Sequence, residues 1–118
     1  MIRVLGPEVS IAEVVRDAQR HGGEVSVVPA GSTKAESIDL FAEVLDFPDW
    51  FGRNLDALAD CLHDYAEEPR EDGTARHLVW DGVAQLRRSH PEGYQDITSV
   101  LDEVSADHEG FVVTVLDR

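Results

Sequence analysis

FPDWFGRNLDALADCLHDYAEE, residues 47–68, carries two patterns that pull against each other. Leu55, Leu58, Cys61, Leu62 and Tyr65 recur at three- and four-residue intervals, the spacing that gathers apolar side chains into one stripe of a helix. Asp56, Asp60 and Asp64 recur at intervals of four on the other side, where like charges face each other across a turn. Each such pair costs a helix about 0.2–0.5 kcal/mol. Asn54 is a good N-cap for this helix, and Asp56 suits the positive end of its dipole. That reason does not extend to Asp64, Glu67 and Glu68, because acids near a helix C-terminus are unfavourable. Upstream, Pro48 ends the preceding helix, since the residue before a proline is pushed out of the α region. DWFGR then makes a loop in which Gly52 is free to take a positive φ.

The chain as a whole sharpens the puzzle. Its 118 residues suit one domain around one core, and 42% of them are hydrophobic. The formal charge is −14, and residues 43–72 hold 10 acids against 2 bases. A focused negative charge argues against nucleic acid as a partner, whose phosphates it would repel, and favours a basic protein. Cys61 is the single cysteine, so no intrachain disulfide can form, and its place between Leu58 and Leu62 suggests a buried, inert thiol. GxGxxG, GxxxxGK[ST], HExxH and GxSxG are all absent, so neither a cofactor nor an enzyme activity is expected. No run approaches the roughly 18 apolar residues of a membrane span. The first residues lack the apolar core of a secretion signal, which makes the cytoplasm the expected compartment. Nothing in the sequence demands an oligomer, so a monomer is expected when the protein is free.

Outward from the acidic stretch, short β-rich runs alternate with helical periods. EVSVVPAGS reads as a buried strand near Val25 to Pro29, HLVWDG as a second with Leu78, Val79 and Trp80 inside, and FVVTVL as the last and clearest. Ile38, Phe41, Val44 and Leu45 share one helical face. Ile97, Val100, Leu101 and Val104 mark a longer helix that ends near Gly110. Strands separated by helices imply crossovers and a parallel sheet. The expected class is α/β, with three parallel strands packed with helices. Residues 1–24 add a helix from about Ser10 to His21, preceded by a short possible strand at Ile2 to Leu5. They read as an N-terminal extension, with the main domain at 25–118.

At FPDWFGRNLDALADCL the sequence resembles the barstar family of intracellular ribonuclease inhibitors, through Pro48, Trp50, Gly52, Asn54 to Leu58, Asp60, Cys61 and Leu62. Downstream, HLVWDG, ITSVLDEVSAD and FVVTVL stand in the order that the family's fold requires. The resemblance covers roughly residues 25 to 118 and implies a partner: a basic, extracellular-type bacterial ribonuclease, plugged by the acidic helix and the loop before it. It further implies that Asp60 occupies the phosphate site of the nuclease and that Asp56 pairs with a base at the cleft rim. Trp50, where the family usually has tyrosine, would cover the nuclease's catalytic histidine. Asn54 would sit in the loop contact, His63 and Asp64 at the helix end of the interface, and Glu103 would reach in from the later long helix. Ala59 departs from the pattern, standing where well-known members carry tryptophan, which implies a weaker grip or a differently shaped target.

Two other uses of the same residues stay open at this stage. The fold and face could serve as an immunity or interaction module against a different basic toxin, such as a DNase. The aspartate row could also hold a metal, but one helix spaced by fours offers two or three carboxylates, and calcium takes six to eight oxygens. The remaining histidines, His21, His77, His90 and His108, are not at ligand spacing, so no metal is expected.

Overall fold

The computed structural model describes residues 2–20, 24–48, 52, 54–68 and 75–118. Along the described residues the elements run β1 (Ile2–Leu5), α1 (Ile11–Arg20), β2 (Glu24–Pro29), α2 (Lys34–Leu45), α3 (Leu55–Glu67), β3 (Arg76–Asp81), α4 (Ala84–Ser89), α5 (Pro91–Asp107) and β4 (Phe111–Leu116). All strand pairs are parallel, in the order β1-β4-β3-β2. The sheet therefore has four strands where the sequence predicts three. The fourth is β1, paired Ile2↔Val113 through Leu5↔Leu116 along the free side of β4. Its burial does not alternate in the way that marks a half-buried strand, so its place is decided by the partner it meets and not by its own pattern.

Both faces of the sheet are covered, which is why β3 and β4 are near-continuous apolar runs. Leu78, Trp80, Val113 and Val115 point into the larger core beneath α2, α3, α4 and α5. Val79 and Leu116 point the other way, onto Val14 of α1. Trp80 is fully buried as expected, stacked on Tyr94 at 5.9 Å between ring centroids and tilted against Phe41 at 5.7 Å. Pro29 closes β2 at a sheet edge, where its missing N–H costs no ladder bond. Gly82, with φ of 80°, makes the turn after β3, a conformation that other residues rarely adopt.

Two sequence expectations need correction. Val44, predicted on the buried face of α2, is 40% exposed, because the core side of that helix is set by Ser37, Ile38 and Phe41. At Gly52 the structure shows a close approach and not a need for positive φ: an added Cβ would lie 3.3 Å from Nδ2 of Asn54. Among the described residues no helix is long and apolar enough to cross a membrane.

Candidate functional site

Helix α3 is held from one side and offered from the other. Its first turn is capped as the sequence predicts: Asn54 is extended (φ −135°, ψ 174°) and its Oδ1 accepts the N–H of Ala57 at 2.8 Å. The Nδ2 of the same side chain donates to the Gly52 carbonyl at 3.3 Å, tying the preceding loop to the cap. Leu58, Cys61, Leu62 and Ala66 are buried in the main core. Leu58 and Leu62 are both 0% exposed, and fully burying such side chains contributes about 1.5–3 kcal/mol each. Two repelling aspartate pairs, at a few tenths of a kcal/mol each, are several-fold too weak to unseat the helix.

Asp56, Asp60 and Asp64 are all exposed. None of them forms an ion pair with a basic side chain among the described residues. Their field is felt inside: the buried Cys61 thiol is pushed up from its ordinary range, first by burial and then by Asp64 and Asp60. The buried, protonated thiol agrees with the inert role expected of it.

The acids at the C-terminal end of α3 divide into two kinds. Glu68 is neutralised by Arg76 of β3, whose Nη1 lies 3.1 Å from Oε2, and the same nitrogen donates to the Tyr65 carbonyl at 2.8 Å. The guanidinium also lies 4.7 Å over the Tyr65 ring, while Glu24 of β2 approaches its Nε at 3.6 Å. Arg76, 5% exposed, thus supplies from the sheet the cation that the last turn of α3 lacks. Glu68 has a structural partner that sequence spacing could not reveal. Asp64 and Glu67 pair with no basic side chain among the described residues and remain exposed.

His63 is half-buried, and its Nδ1 lies 3.0 Å from Nε2 of His108, at the C-terminal cap of α5. Forty-five residues separate the two, and no signal along the sequence pairs them. Glu103 is exposed on α5, one turn before Asp107, and no hydrogen bond or ion pair joins it to α3 among the described residues. Trp50 lies outside the described residues. At the start of α3 the surface dips into an open depression of about 490 Å³ lined by Lys34, Ala35, Ile38, Asn54, Leu55 and Asp56. Among the described residues no three His, Cys, Asp or Glu side chains converge as a metal site would require.

Two comparisons with known proteins bear on this face. The family model described as "Barstar (barnase inhibitor)" matches residues 28–118. A stretch of 31 residues is 55% identical to the "Putative ribonuclease inhibitor YrdF" of Bacillus subtilis (strain 168), covering 26% of this chain and 34% of that protein. The match thus spans about a third of the relative's length.

Proposed function

Because the chain belongs to the barstar family, we propose that it is a protein inhibitor that blocks the active site of a basic ribonuclease with α3 and the loop before it. The observation that carries this reading is the row Asp56–Asp60–Asp64, exposed and without an internal cation among the described residues, on a helix locked by its opposite face. Carboxylates in a fixed row mimic the spaced charges of a nucleic-acid backbone. In a cleft built for phosphates, each charge-assisted hydrogen bond can return about 1.5–3 kcal/mol. In this reading Asp60 takes the phosphate site and Asp56 the rim. Trp50 and Asn54 contribute from the loop side, and His63, Asp64 and Glu103 from the far end. The ridge's charge also speeds encounter, to about 10⁸–10⁹ M⁻¹s⁻¹ for steered pairs at low salt. The chain itself catalyses nothing in this scheme. It acts as a monomer in the cytoplasm, with residues 1–24 as an extension whose strand and helix brace the inhibitory domain.

Ala59, half-buried on α3 beside Asp60, favours a second version of the same reading. A target with a differently shaped rim, including a basic toxin other than a ribonuclease, would not miss the larger side chain that the family usually has there. The test is stoichiometric inhibition of RNA cleavage by a guanyl-specific basic ribonuclease, wild type against Asp60→Ala. Loss of cleavage at one equivalent, restored in the variant, is the expected result. Inhibition that Asp60→Ala leaves intact refutes the site, and no inhibition of any basic ribonuclease refutes the activity.

A further inference from the structure

The two histidines meet between two helices that carry no lysine or arginine at all, α3 and α5. With nitrogens 3.0 Å apart and ring planes 59° to each other, one ring must donate and the other accept. One added proton leaves that bond in place, since an imidazolium can donate to a neutral ring. A second sets N–H against N–H and two like charges in contact, and the link between α3 and α5 opens.

The surroundings decide what these protons do. Asp60, Asp64 and Glu67 lie within one turn of His63 on α3, and Glu103, Asp107 and Glu109 flank His108 on α5 and the turn after it. The last carbonyls of α5 add partial negative charge at its C-terminal end. Each proton taken up is therefore subtracted from the charge of the ridge, beside the aspartates that would meet a cation.

We propose that His63 and His108 form a proton-gated pair built into the acidic ridge, so that binding of a cationic partner to this face weakens as the solution turns mildly acidic. The inference rests on the reading of the ridge as a contact surface for a basic partner. Binding and protonation oppose each other, and by reciprocity a bound cation expels protons from the pair.

The test uses the full chain and a deca-arginine peptide, titrated calorimetrically at about pH 7.5 and about pH 5.5, on either side of the ordinary histidine range. Going to the lower pH should weaken the wild type about tenfold more than the His63→Gln/His108→Gln variant, as expected for two positive charges added to the acidic face. Equal weakening in the two proteins, or none in the wild type, overturns the proposal. A second measurement needs no ligand: the Cε1–H resonances of His63 and His108 in the wild type should follow two coupled steps, and His108→Gln should turn the His63 curve into a single step. A His63 curve that is the same in both proteins overturns the pairing. Neither arm involves a nuclease, so failure to inhibit one would strike the proposed function and leave these outcomes to be read separately.

Discussion

Removing the central charge of the row should make the free protein more stable while ruining its binding, a reversal of sign that few exposed residues show. Asp60 faces Asp56 one turn before it and Asp64 one turn after, and it has no internal cation to lose among the described residues. Relief of two like-charge pairs amounts to about 0.4–1 kcal/mol. Asp60→Asn, which removes the charge at nearly constant shape, should gain that much, or about 2–4 °C in Tm for a domain of this size. Asp60→Ala adds the helix preference of alanine, a further ~0.5 kcal/mol. Urea unfolding followed by far-ultraviolet circular dichroism measures both. At about 1 M salt the Debye length falls to roughly 3 Å, so the Asn gain should vanish while the Ala gain persists in part. Against a ribonuclease the same substitutions should cost about 2–5 kcal/mol, or roughly 30-fold to several thousandfold in Kd, a general range to which the barstar family's own complex contributed. An Asp60→Asn protein that is less stable at low salt, or whose gain ignores salt, would refute the picture of an unneutralised row.

Three further outcomes follow from the same geometry. Asn54→Ala removes the acceptor of the Ala57 N–H and should cost about 1 kcal/mol in urea unfolding, with Asn54→Asp retaining most of it. Arg76→Met should cost about 2 kcal/mol, less than a fully buried pair would because Glu68 is 63% exposed, with faster hydrogen exchange in the last turn of α3. Unchanged exchange there would mean that Arg76 does not hold the helix end. Burial and the two neighbouring aspartates raise the thiol of Cys61 in the folded state, so its contribution to stability is complete below the unfolded value of about 8.5 and is lost as the pH rises towards the folded one. Cys61→Ala should therefore flatten the alkaline decline in stability at about pH 8.5–10, before the tyrosines contribute. A slope equal to that of the wild type would show that the thiol is not the group responsible.

Much of the fold was legible because its signals are local. The stripe Leu58–Cys61–Leu62, the cap at Asn54 and the buried runs of β3 and β4 each follow from the geometry of a few consecutive residues. Edges were harder. Val44 sits where the sequence stripe of α2 continues but the core beneath it does not, and β1, readable as a possible strand at Ile2 to Leu5, joins the sheet because β4, more than a hundred residues later, leaves a free side for it. The candidate site shows the same division. Its aspartates could be named from spacing, whereas His108 carries no mark of its role until α5 delivers it to His63.

By itself, then, the sequence determined that three carboxylates would stand in a row on the outer side of a helix, because 3.6 residues per turn and an apolar stripe leave them nowhere else to point. Only the tertiary structure decided which side chains of α3 are taken up by contacts inside the fold. Glu68 is claimed by Arg76 and His63 by His108, since those meetings depend on where a strand and a helix return after their crossovers, a matter of the whole chain and not of any stretch within it.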